Sequence, residues 1–140
     1  MNSIKKTTEM KDRRVILSTL WIFAMFNYLY ADIVSLMDPV SLKQIMSGTV
    51  GSLQVTQGFL LGAAILMETA IAMILLSRVL KYGANRWVNI IAGALHTVAV
   101  FSSMFVGTTP ALYYLFFGTI EIACTLFIIW YAWTWTNPEG

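Results

Sequence analysis

Glu68, His96 and Glu121 each lie near the middle of a different long apolar stretch. An ionisable group at that depth of a bilayer is expensive, and such groups ordinarily face a partner or a cavity. Two carboxyls and an imidazole at one depth therefore suggest one shared polar site. A carboxyl beside an imidazole can exchange a proton near neutral pH, which suits a proton relay or general acid–base catalysis. The same residue types could ligate a metal, but no HExxH, ExxH or paired-His spacing supports that chemistry, so metal and cofactor stay open. There is no GxSxG, no Gly-rich phosphate loop and no CxxCH. Cys124 is the only cysteine, which removes an intrachain disulfide or a CxxC redox pair and leaves a small apolar packing residue.

The elements that must position these groups follow from composition. Of 140 residues 58% are hydrophobic and only 11% charged, against roughly a quarter charged in a soluble domain. The surplus apolar surface has to face lipid. Apolar runs over about 15–37, 53–77, 87–106 and 111–133 each have the length that crosses a bilayer core as a helix. The expected fold is all-α: a transmembrane four-helix antiparallel bundle, with residues 1–140 as a single membrane domain. The first run exceeds a signal-peptide core and carries Asn27 and Asp32, so it reads as a retained helix. Lys5, Lys6, Lys11, Arg13 and Arg14 precede the first run, and Arg78, Lys81 and Arg86 separate the second from the third. Basic residues mark cytoplasmic loops, so both termini are expected in the cytoplasm, in a multi-pass protein of the cell membrane. The formal charge of +2 then reflects topology, not nucleic-acid binding. Residues 1–12 read as frayed, or as a lead-in helix capped by Thr7 or Thr8. Asp38-Pro39 is a cap-then-proline signal for a short outer interfacial helix, and 48–52 reads as a flexible turn. Thr108-Thr109-Pro110 repeats the cap signal. Trp21, Trp87, Trp130, Trp133 and Trp135 read as interfacial anchors at the inner side.

Helical spacing then orients the polar residues. Asn27, Glu68, His96 and Glu121 lie within about 5 Å of their run centres. Gln57, Leu61, Ala64 and Glu68 share a face, as do Asn89, Gly93 and His96, and Gly118, Glu121 and Thr125. Each face is rich in small or polar residues and is expected to point inward. Asp32 is about 140° from Asn27 on a regular helix, so the two cannot both point inward. The expected ligand- or proton-binding set is Asn27, Asp32, Gln57, Glu68, His96 and Glu121. Gln54, Gln57, Thr109, Tyr113 and Tyr114 would line an outward-opening vestibule above it. Gly58-x-x-x-Gly62 lies on another face and suits a neighbouring helix or a second copy of the chain.

The segments 20–32, 54–61, 67–73, 85–91 and 121–133 resemble an uncharacterised prokaryotic four-span membrane family, a domain of unknown function broadly similar to DoxX-like proteins. Asn27, Asp32, Gln54, Gln57, Glu68, Asn85, Asn89 and Glu121 carry the likeness, which spans nearly the whole chain. It implies a link to respiratory or redox-linked membrane assemblies. Small multidrug transporters are also short four-span proteins, but they use a Glu in the first span, where this chain has Asp32. Three functions stay open: a site that binds a small, lipophilic molecule or relays protons, a structural or assembly protein whose polar cluster is interhelical glue, and a membrane-embedded acid–base enzyme. The expected partners are the lipid bilayer, such a ligand and a second copy of the chain.

Overall fold

No glycine or proline interrupts the chain before Pro39, and Asn2–Met37 accordingly forms one continuous helix, α1. The computed structural model describes residues 2–107 and 109–137. Thr108, one of the expected caps, lies outside them. The basic lead-in is neither frayed nor separately capped. Thr7 and Thr8 donate to the carbonyls of Ser3 and Ile4 at 2.9 and 3.0 Å, inside the helix. Asp38 and Pro39 then stop α1 and start α2, Pro39–Met46. The Asp38 carboxylate accepts from the Ser41 amide at 3.1 Å and from its hydroxyl at 2.6 Å, and those bonds hold its pKa below the usual carboxylate value.

The expected flexible turn is instead a small antiparallel hairpin, β1 (Thr49–Val50) and β2 (Leu53–Gln54). Gly51 turns it with φ +57°, and a Cβ there would stand 2.6 Å from the Val106 carbonyl oxygen. The hairpin is thus seated against the connection that precedes the last helix. Thr56 caps α3 (Gln57–Val79) by accepting from the Phe59 amide at 3.1 Å. The remaining helices are α4, Tyr82–Ser103, and α5, Leu112–Trp133. Helix α5 begins after Ala111 without a side-chain cap, so Thr109-Pro110 does not serve as the expected start signal.

Helix α1 packs against α3 and α5, and α4 against α5 and α3. The buried faces follow helical spacing: Leu17, Ser18, Trp21, Ala24, Tyr28 and Ala31 on α1, and Ala70, Met73 and Ser77 on α3. Asn85, Asn89, Ala92, Gly93 and His96 are buried on α4. Bulky apolar side chains such as Phe26, Leu61, Ile65, Leu75, Phe101 and Phe116 point outward. The interior combines small and polar residues with a few large side chains, Leu17, Trp21, Met73 and Ile128 among them, while many large apolar side chains lie on the surface. Helices α1, α3 and α5 are long and apolar enough to cross a membrane. Helix α4 has comparable length, but Asn85, Arg86, Asn89 and His96 lower its hydropathy.

One end of the molecule collects cations and rings. Arg13 donates to the Tyr131 carbonyl at 3.0 Å and covers the Tyr131 ring at 4.7 Å. Arg86 does the same at Trp133, at 3.1 and 5.3 Å. The opposite end carries α2 and the hairpin.

Two glycines in the α4–α5 contact test this packing. A Cβ on Gly93 would meet Ile129 Cγ1 at 2.7 Å and the Thr125 carbonyl oxygen at 3.3 Å, neither of which can swing away. A Cβ on Gly118 would meet only the flexible end of Met104 at close range. Gly93→Ala is expected to destabilise the protein by about 1–2 kcal/mol net of its gain in helix propensity. Gly118→Ala is expected to be neutral or mildly stabilising. Chemical unfolding in detergent micelles measures both.

Candidate functional site

His96 is fully buried on α4, and each ring nitrogen has a partner. Nε2 is 2.9 Å from the Thr69 hydroxyl oxygen on α3, and Nδ1 is 3.1 Å from the Tyr28 hydroxyl oxygen on α1. Thr69 gives its one hydroxyl proton to the Leu66 carbonyl at 2.6 Å. Its oxygen then accepts from Nε2–H, and in a neutral imidazole this leaves Nδ1 to accept from the Tyr28 hydroxyl. The order is Tyr28 to His96 to Thr69 to the Leu66 carbonyl, with a neutral imidazole in one tautomer. Rings hold it from the sides: Tyr28 stacks at 5.5 Å and Trp21 meets it edge-on at 5.4 Å.

Beside this chain of bonds lies a cleft of about 170 Å³ to which α1, α3, α4 and α5 all contribute. Tyr28 and Asp32, Leu66 and Met67, His96 and Ser103, and Tyr114 and Glu121 line it. Glu121, near the middle of α5, is 5% exposed, and its Oε1 has no hydrogen-bond partner. Glu121 lies within electrostatic range of Asp32, Tyr28 and Tyr114. A second, outer cavity of about 320 Å³ lies beneath α2 and the hairpin, and it shares Ser103 and Tyr114 with the cleft. Tyr114 donates to the Ser103 hydroxyl oxygen at 2.6 Å, so this bond stands where the two cavities meet.

Toward the basic end a different polar cluster is fully satisfied. Asn89 Oδ1 accepts from Trp21 Nε1 at 2.8 Å and from the Ser77 hydroxyl at 3.2 Å. Its Nδ2 donates to Asn85 Oδ1 at 2.8 Å and to the Asn85 carbonyl at 2.9 Å. Asn85 in turn donates to the Ser77 carbonyl at 2.7 Å. This unit uses the whole hydrogen-bonding capacity of the Asn89 amide.

The structure brings only part of the expected set together. His96, Glu121 and Asp32 line the cleft. Glu68 does not: it is exposed on α3, opposite the buried Ala70–Met73–Ser77 face. The expected inward stripe through Gln57, Leu61 and Ala64 is the outer face of α3. Gln57 is exposed at the first position of α3 and lines neither cavity. Asn27 does not complete the cluster from α1, because its amide donates back to the Phe23 carbonyl at 2.9 Å. Trp21 is not an interfacial anchor but a fully buried donor. Tyr114, expected above the site, lines the cleft itself, and Tyr28 and Thr69 carry contacts at the site that polar spacing alone did not single out. The available signal was the i, i+7 step from Trp21 to Tyr28 and the i, i+4 step from Tyr28 to Asp32. Among the described residues no group of three or more His, Cys, Asp and Glu side chains could hold a metal ion.

A model of the family described as a family of unknown function (DUF6326) matches residues 5–139. No curated protein and no solved structure matches the chain. The chain thus belongs to that family of unknown function.

The Asn89 unit predicts where side-chain polarity stabilises the fold. Asn89→Leu strands the indole N–H of Trp21 and the amide oxygen of Asn85, and is expected to cost about 1–3 kcal/mol. Asn27→Leu, which removes only a bond within its own helix, is expected to change stability by less than about 0.5 kcal/mol. Unfolding midpoints of the two variants in micelles give the comparison.

Proposed function

We propose that this is a small integral membrane protein whose interior cleft binds a small molecule through the Glu121 carboxyl. The observation that carries this reading is the state of that carboxyl. Glu121 is 95% removed from solvent, lines a cleft and leaves Oε1 without a partner. A buried polar group in that condition costs about 1–3 kcal/mol and serves no packing purpose. A ligand that donates to it removes the cost.

The proposed architecture supports this reading. It is four spans in an antiparallel bundle in the cytoplasmic membrane, DoxX-like in broad plan, with the basic end in the cytoplasm. Helices α1, α3 and α5 have the necessary length and hydropathy, and α4 closes the ring between α5 and α3. The polarity of α4 is turned inward, onto the Asn89 unit and His96. The outer cavity beneath α2 offers a way to the cleft past the Tyr114–Ser103 bond.

Two other roles fit Glu121 less well. Interhelical glue requires bonds between helices, as Asn89 makes them, and the Glu121 side chain makes none to the protein. A proton relay requires an onward acceptor, whereas the chain from Tyr28 through His96 ends on the Leu66 carbonyl. His96 is better suited to hold Tyr28 in place at the cleft wall.

Glu121→Met keeps the side-chain volume and removes the unpartnered carboxyl. The ligand-free variant is expected to be more stable than the wild type by about 1–3 kcal/mol. Native mass spectrometry of the wild type purified from membranes is expected to show a retained small molecule that the variant lacks. A variant that is less stable yet keeps the same adduct would mean that the carboxyl is structural.

A further inference from the structure

We infer that the ligand of the Glu121 cleft is a small organic cation, a protonated amine or a quaternary ammonium. This rests on the binding role proposed for Glu121 and names the chemical class that the site accepts.

The charge inventory of the cleft is one-sided. It is lined by the carboxyls of Glu121 and Asp32, and by no lysine or arginine. His96 supplies no compensating donor, since Nε2–H is spent on Thr69 and Nδ1 accepts from Tyr28. Arg13, Arg78 and Arg86 belong to the basic end of the molecule and are engaged there. Arg13 and Arg86 donate to carbonyls at the end of α5, and Arg78 donates to the Ser18 hydroxyl oxygen at 3.2 Å. An anionic ligand would meet two carboxyls and no basic side chain. A neutral ligand would leave the Glu121 carboxyl without a counter-charge. A cation supplies the counter-charge, and an ammonium N–H also supplies the donor that Oε1 lacks.

The remaining walls favour an organic cation over a bare metal ion. Tyr28 and Tyr114 contribute aromatic rings, which attract alkylammonium groups through their faces. Leu66, Met67, Ala99 and Val100 offer apolar contact to the substituents. The donor set needed to strip a metal ion of its water is missing among the described residues, where no cluster of three potential ligands occurs. Asp32 is exposed and lines the same cleft, so it stands where an approaching cation meets the site first.

The test uses the full-length protein in nanodiscs of neutral phosphatidylcholine, so that the lipid surface does not select for charge. The probes are hexylammonium, tetraethylammonium, 1-hexanol and hexanoate, with affinity read by isothermal titration calorimetry. At least one of the two ammonium ions is expected to bind, at least tenfold more tightly than hexanol and hexanoate. Glu121→Gln, which keeps side-chain shape and breaks no bond within the protein, is expected to weaken it at least tenfold. Asp32→Asn, at an exposed position, is expected to weaken it severalfold. If hexanol or hexanoate binds as tightly as the ammonium ions and depends equally on Glu121, the cation class is overturned while the binding site stands. If ammonium affinity is the same in wild type and Glu121→Gln, the ions are partitioning into lipid and the inference is overturned. If no probe shows Glu121-dependent binding, the inference also fails, and the stability of Glu121→Met decides separately whether the carboxyl is a binding group.

Discussion

The side-chain amide of Asn89 ties three helices into one arrangement. It receives the indole N–H of Trp21 from α1 and the hydroxyl of Ser77 from α3, and it holds Asn85 on its own helix α4. In a low-dielectric interior these bonds have no competitor from water, and a slip of any partner strands a polar group. The rotation of α1, α3 and α4 about their axes is thereby set. About two turns further along, the same rotations bring Tyr28 from α1 and Thr69 from α3 to the two nitrogens of His96. The cleft is a consequence of this registry. Its walls stand where they do because the helices are pinned on the far side.

The two polar clusters answer to opposite rules. At Asn89 every donor and acceptor is used, which is how a buried polar network stabilises a fold. At Glu121 an oxygen is buried with nothing to receive from, although Thr125, Tyr28 and His96 are all close by on the same or neighbouring helices. Tyr28 directs its hydroxyl to His96, and Thr125 bonds backbone carbonyls and the Thr97 hydroxyl. Groups that could have satisfied Glu121 are thus committed elsewhere. Glu121 Oε1 is left as a buried acceptor beside a cavity.

Only some of the large apolar side chains enter this interior, Leu17, Trp21, Met73 and Ile128 among them. Phe26, Leu61, Phe101 and Phe116 face outward, while Ala24, Ala70, Ala92 and Gly93 let the helix backbones approach. Small residues and hydrogen bonds therefore mark much of the contact between helices. This also explains how the hairpin is held: Gly51 packs against the Val106–Gly107 backbone at a distance that no side chain would permit.

Much of the architecture could be read from the chain alone. The absence of Gly and Pro before Pro39 and the Asp38-Pro39 signal set the junction of α1 and α2. The apolar runs located α3, α4 and α5 to within about five residues and the end of α1, whose helix begins well before its run, at Asn2; the polar stripes of α4 and α5 place His96 and Glu121 on buried faces. Helix α3 defeated the same reasoning. It is apolar all round, its Gln57–Ala64–Glu68 stripe and its Ala70–Ser77 stripe are both small and polar, and periodicity ranks neither above the other. On α1, Asn27 and Tyr28 are adjacent in sequence, and only packing shows that Asn27 bonds its own helix while Tyr28 reaches His96. Sequence by itself determines where the long helices run and how far along each of them a polar group lies, because both follow from local spacing and length. Which face meets a neighbour was decided by the tertiary structure, because in a helix without a hydrophobic side the choice depends on partners supplied by other helices.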